Sequence, residues 1–183
     1  TVGQSVNATS PVNGGENAVA NNFLGKERER RTSYLGSAFA EAKIFESLSF
    51  RTRFNYENYL FDTFSFSDDL FGAAAPVQGR VTQARNITTT INAINGLHFN
   101  KRFGNHNLAA DAIIEAYSET IDALGAQGTG FLPGLSGLNS STVPESVSGS
   151  FLEERLNSYL GRVNYNYADK YFVEGSVRRD GSS

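Results

Sequence analysis

Few residues in this chain combine a reactive type with a useful spacing. Asp68 and Asp69 are adjacent carboxylates, but next to Ser and Gly they read as solvated rather than as an acid/base pair. A Ca²⁺ site would need more oxygen ligands at fixed spacing than Phe71-Gly72-Ala73 provides. His98 and His106 are the two histidines. Zinc takes three or four ligands, so they read as one wall residue and one turn residue. No Gly-x-Ser-x-Gly elbow presents a serine nucleophile. Asp180-Gly181-Ser182-Ser183 resembles a reactive loop, yet a turn in which Asp180 caps backbone amides is the simpler expectation. With 0 cysteines there are no disulfides, thiolate metal sites or thiol nucleophiles. The expectation is a chain that is not an enzyme and holds no metal or cofactor.

What such residues would sit on follows from composition and pattern. Hydrophobic residues make up 39% of the 183, and no apolar run approaches the roughly 20 residues of a membrane helix. The net charge of -3, with signs interspersed, leaves no basic stripe for nucleic acid. The absence of Cys suits a chain that crosses an oxidising compartment. No charged start precedes an apolar core, so no signal peptide is read. The opening Thr1-Val2-Gly3-Gln4 and the ending Arg179-Asp180-Gly181-Ser182-Ser183 suggest a piece of a longer chain.

Three short turn-like segments recur: Phe45-Glu46-Ser47-Leu48, Arg102-Phe103-Gly104-Asn105-His106 and Tyr167-Ala168-Asp169-Lys170. Gly104-Asn105 is a favourable hairpin pair because both residues tolerate positive φ. Flanking runs alternate with a period of two. Leu48, Phe50, Thr52, Phe54, Tyr56 and Asn58 take one face, and Ser49, Arg51, Arg53, Asn55 and Glu57 the other. Ile87, Thr89, Ile91, Ala93, Leu97 and Phe99 oppose Asn86, Thr88, Thr90, Asn92 and His98, with Ile94 an exception. Leu108, Ala110, Ala112, Ile114 and Ala116 oppose Asp111, Glu115 and Tyr117. Tyr159, Gly161, Val163 and Tyr165 oppose Ser158, Arg162, Asn164 and Asn166, and Val173 and Val177 oppose Glu174, Ser176 and Arg178.

Such alternation holds for longer than the roughly 5–6 residues of an ordinary strand. About twelve residues at ~3.3 Å, tilted by ~40°, cross roughly 30 Å, enough for the apolar band of a barrel wall. Strands are expected over 30–46, 48–62, 84–102, 106–121, 154–168 and 170–180, in an antiparallel meander. Stretches 1–31, 62–84 and 122–154, rich in Gly, Ser and Asn, are expected to be extracellular loops. A helix competes over 108–124, since Ala109, Ile113, Ala116, Tyr117, Thr120, Ile121 and Leu124 also fall at helical spacing and periodicity alone does not decide.

The closing segment carries a resemblance. Tyr159-Leu160-Gly161-Arg162-Val163-Asn164-Tyr165, then Tyr167-Ala168-Asp169-Lys170-Tyr171, then Arg178-Arg179-Asp180-Gly181-Ser182-Ser183 resembles a signature of the SusC/RagA family of TonB-linked outer-membrane proteins. Leu35-Gly36, Ala40-Glu41, Leu48-Ser49-Phe50-Arg51 and Phe103-Gly104-Asn105-His106-Asn107-Leu108 are similar to earlier motifs of that family, in the same order. The resemblance covers about residues 26 to 183. It implies an all-β fold, a segment of a large antiparallel transmembrane β-barrel with 22 strands in the family, of which about six fall here. It also implies a plug domain outside this sequence, import of glycans or peptides, energy from TonB through a missing N-terminal segment, a SusD-like surface lipoprotein as partner, and an outer-membrane location in contact with lipid.

On that reading Arg51, Arg53, Glu57, Asp111, Glu115, Arg162, Glu174 and Arg178 face the lumen, where they bind cargo, touch the plug or keep the wall wet. Phe64, Phe66, Phe71, Phe131 and Leu132 are apolar residues in polar stretches, candidates for contact with cargo or partner. Packing among the loops is the competing role. The alternative function is a structural or adhesive β-rich surface module without transport activity.

Overall fold

A computed structural model describes residues 25–70 and 72–183. Six strands dominate it: β1 (Lys26–Phe45), β2 (Leu48–Ser67), β3 (Arg80–Phe103), β4 (His106–Thr129), β5 (Val143–Tyr167) and β6 (Tyr171–Ser182). They form one antiparallel sheet in the order β1-β2-β3-β4-β5-β6, a meander in which every strand pairs with its neighbour in sequence. The helical alternative for 108–124 is absent, because those residues lie within β4. Tyr117, Thr120 and Ile121 favour the pleated surface, and strand partners on both sides satisfy β4's backbone.

The strands overrun the expected bounds. Residues 26–31, 62–67, 80–84, 122–129 and 143–154, expected in loops, belong to strands, leaving 68–79 and 130–142 as the long connections. Gly and Ser at loop-like density hid 122–129 and 143–154, whereas 62–67 keeps the alternation, Phe64 and Phe66 against Thr63, Ser65 and Ser67. The segment 1–24 lies outside the described residues.

Two compact units divide the chain. One comprises the described residues up to Thr32, Leu60–Ile87 and Asp122–Phe151; the other comprises Ser33–Tyr59, Thr88–Ile121 and Leu152–Ser183. The first contains both long connections. Phe66, Val81 and Phe131 are buried there, with Phe64 and Leu138 packed against them. Phe66 and Phe131 meet edge to face, with centroids 5.7 Å apart and planes at 87°. Gly130 N donates to Val77 O at 3.0 Å and Phe131 N to Gln78 O at 2.7 Å, tying the connections together. Gly130 takes φ +76, and a Cβ there would clash with Thr142 Oγ1, so only glycine fits.

The second unit holds the three short turns. Gly104 alone of its hairpin pair takes positive φ (58), as a type II′ turn requires of its first central residue. Ala168 and Asp169 both take left-handed φ, 54 and 55, the demand of a type I′ turn. Asn166 and Asp169 hold that turn: the Asn166 amide donates to Asp169 Oδ1 at 2.8 Å, and Asp169 N donates to Asn166 Oδ1 at 2.9 Å. The expected capping turn at 180–183 is corrected. Asp180 and Gly181 are strand residues of β6, opposite Ser158 and Asn157, and Asp180 accepts from Arg178 Nε at 2.9 Å.

Candidate functional site

The alternation read from the sequence becomes two distinct faces in the second unit. On the polar face, Asp111 is a hub. His98 Nδ1 lies 2.7 Å from its Oδ1, while Arg162 donates to Oδ2 from Nη2 at 2.8 Å and from Nε at 3.1 Å. The three residues sit on consecutive strands β3, β4 and β5, so each spans one inter-strand spacing. Glu115 forms a parallel link. It accepts from Asn92 Nδ2 at 2.8 Å, and Arg178 Nη2 approaches its Oε2 at 3.8 Å. Glu119 accepts from the Tyr117 hydroxyl at 2.9 Å and Arg51 pairs with Glu41 at 3.4 Å. Arg53 lies over the Phe39 ring, 6.0 Å from its centroid.

Six of the eight charged residues expected on this face thus share contacts across neighbouring strands or stack on them. Glu57 and Glu174 stand exposed. Paired charges on half-exposed side chains contribute little each. Their joint effect is to keep one face wettable while every strand remains in register.

The opposite face is apolar and bare. Phe54, Tyr56, Ile91, Leu97, Ile114, Tyr159, Val163, Val173 and Val177 are exposed large hydrophobics on it. Arg179, opposite Tyr159, and two polar pairs interrupt it. Thr52 Oγ1 donates to Asn95 Oδ1 and Asn58 Nδ2 to Thr89 Oγ1, both at 2.9 Å. The pairing satisfies each group sideways, as a polar group on an apolar face requires.

At the short turns, Arg102 Nη2 donates to Asp169 Oδ2 at 2.9 Å. The hydrogen bonds from Asn166 and then Arg102 hold the Asp169 carboxyl below the usual carboxylate range. His106 Nδ1 lies 2.6 Å from the Tyr165 hydroxyl, and its ring centroid lies 4.9 Å from that of Tyr167. The two histidines therefore serve different strand contacts, Asp111 for one and Tyr165 for the other, and do not converge.

In the first unit, Phe66 and Phe131 are spent on the core and Phe64 packs against it. Of the five apolar residues expected to make contacts, Leu132 is exposed, at 67%. Leu70 and Leu135 are also exposed in the two connections, and Phe71 lies outside the described residues. Arg80 donates to both carboxylate oxygens of Glu145, at 2.9 and 3.0 Å, and that contact, then the Gln127 amide, lowers the Glu145 pKa. Asp68 Oδ1 accepts from Leu70 N at 2.9 Å, an Asx turn of the kind that short acidic side chains form.

Sequence reasoning missed the partners rather than the faces. Arg80 and Glu145 are 65 residues apart and Arg102 and Asp169 67 apart. No local spacing announces such pairs. The register of adjacent strands creates them.

Comparison with known proteins places this geometry. No family model matches the chain. A TonB-dependent receptor P3 of Formosa agariphila is 31% identical over 168 residues, covering 86% of this chain and 16% of the relative. A solved structure of the RagAB peptide transporter superposes with a TM-score of 0.83 at 16% identity, over 92% of this chain and 19% of that one. The RagAB peptide importer in its open-open state gives 0.81 at 17% identity, over 92% and 19%. The chain spans about a sixth of the length of the curated relative it matches.

Proposed function

We propose that this chain, a piece of the β-barrel of a TonB-dependent receptor of the SusC/RagA type, forms part of the wall of an outer-membrane importer. The observation that carries the reading is the two-faced sheet: a bare apolar side fit for lipid, and an ion-paired side fit for water. In the unit with the short turns the strands contribute 12 residues (48–59) to 16 residues (106–121). At ~3.3 Å per residue and a tilt of ~40° this spans roughly 30–40 Å, the width of a bilayer's apolar band with its margins. A six-stranded sheet leaves two strand edges to be paired by further strands. Arg51, Arg53, Glu57, Asp111, Glu115, Arg162, Glu174 and Arg178 then line the lumen.

The short turns are assigned to the periplasmic side and the connections 68–79 and 130–142 to the outside, following the turn-length asymmetry of such barrels. Exposed Leu70, Leu132 and Leu135 supply a contact for a SusD-like lipoprotein, with cargo contact secondary. Cargo would be glycan or peptide, and the driving energy would come from TonB. RagAB is named as a peptide transporter, which supports an import role.

The test replaces Leu132 and Leu135 by Asp in the full-length receptor. Partner co-purification or uptake should fall several-fold while membrane insertion stays intact. Unchanged partner binding and uptake would restrict these connections to covering the barrel mouth.

A further inference from the structure

The polar face of the second unit carries a hollow of about 180 Å³ whose lining includes Phe39, Arg51, Arg53, Ile94, Gly96, His98 and Ile113. Ligand pockets for whole drug-sized molecules run roughly 300–1,000 Å³, so this one suits a single residue-sized group. Phe39, Ile94 and Ile113 give it apolar walls on the face that also carries the ion pairs.

Its polar groups are directional. Arg53 has no carboxylate partner among the described residues, only the Phe39 ring beneath it. A guanidinium held on an aromatic face presents its N–H fork to a carboxylate. The acids around the lining are already engaged, Asp111 by Arg162 and Glu41 by Arg51. The Nδ1 contact with Asp111 assigns the His98 proton to Nδ1 in the neutral ring, leaving Nε2 an acceptor. Gly96 makes room for that nitrogen: a Cβ at position 96 would stand 2.8 Å from it and 3.4 Å from Ile113 Cγ1.

We infer that this hollow is a subsite for an apolar amino-acid carboxylate whose nitrogen is acylated, with the carboxylate on Arg53, the amide N–H on His98 Nε2 and the side chain against Phe39, Ile94 and Ile113. The proposal rests on the reading of the polar face as the lumen. The same chemistry belongs to a free N-acyl amino acid and to the C-terminal residue of an oligopeptide.

The experiment uses the full-length receptor in nanodiscs, ring-¹⁵N-labelled at histidine, with the His98 Nε2 resonance assigned by its loss in His98→Gln. N-acetyl-leucine, Ala-Ala-Leu and N-acetyl-leucinamide are titrated in turn. Both carboxylates should shift the resonance saturably, and the amide should bind at least tenfold more weakly. Arg53→Gln should remove that tenfold preference, and Gly96→Val should abolish the shift. Binding of N-acetyl-leucine without Ala-Ala-Leu supports the subsite with a free solute as its ligand; equal binding supports a chain end. An amide that binds as well as the acid, or an Arg53→Gln receptor that binds unaltered, overturns the subsite. Solvent accessibility at residues 53 and 54 of the same protein separates the two ideas. A lipid-facing Arg53 defeats the lumen reading, whereas a water-facing Arg53 without carboxylate preference defeats the subsite alone.

Discussion

Asp111 on β4 and Arg162 on β5, 51 residues apart in sequence, meet at 2.8 Å, and the same carboxylate takes His98 of β3 on its other oxygen at 2.7 Å. One carboxylate therefore ties three strands on the polar face. Asp111→Ala leaves a cation and an imidazole without their acceptor. With Arg162 half exposed, solvent recovers part of the loss, and the expected cost is about 1–2 kcal/mol. Glu174→Ala, at an exposed position, should stay within about 0.5 kcal/mol. Urea unfolding of the full receptor in lipid checks both, and equal costs would remove Asp111 from its role as a hub.

The two faces make opposite demands. Phe54→Arg and Val163→Arg place a charge on the bare apolar side and should cost roughly 2–4 kcal/mol of insertion stability near the bilayer midplane. Glu57→Arg, on the polar side, should cost under about 1 kcal/mol. Folding yield into liposomes measures the difference.

Gly130 should resist any side chain. Ala there must hold φ +76 and press its Cβ onto Thr142 Oγ1. The left-handed backbone alone costs roughly 1–2 kcal/mol for an L-residue. Limited proteolysis should cut 130–142 faster in Gly130→Ala, while the short turns stay protected. Ala168→Gly is the converse case, since Ala168 already sits at φ 54; it should stabilise its turn by up to about 1 kcal/mol.

Acid should loosen the long connections before the turns' backbone pairing is lost. Hydrogen bonds from Arg80 first, then Gln127, lower the Glu145 pKa. A carboxyl whose folded pKa is depressed adds stability above its unfolded value, about 4.3, and loses it as pH falls through the folded value. Protease sensitivity of 130–142 should therefore rise as pH drops below about 4. Arg80→Gln should move that rise to higher pH. An unmoved midpoint would detach Glu145 from Arg80.

Much of this arrangement can be read from the residue order, because alternation is a local property. Leu48 to Asn58 show their faces without any knowledge of neighbours, and the turns at Glu46-Ser47 and Gly104-Asn105 lie where their residues suggest. What escapes is what the register creates. Thr52 alternates with the apolar set, and only its partner Asn95 on β3 explains it. The strand extensions at 122–129 and 143–154 carry Gly and Ser at loop-like density, so their pairing is a tertiary fact. Phe66 and Phe131 resemble contact residues for the same reason: nothing in the end of β2 or in the connection 130–142 reveals that one packs on the other.

Lipid and water accessibility, measured residue by residue over 48–58 in the full-length receptor in native-like bilayers, tests the barrel wall most directly. Single spin labels report collisions with oxygen from the lipid and with a nickel chelate from water. The wall predicts strict alternation, with 48, 50, 54 and 56 favouring oxygen and 49, 51, 53, 55 and 57 favouring the chelate. Uniform access to the chelate, or the reverse phase, would contradict it.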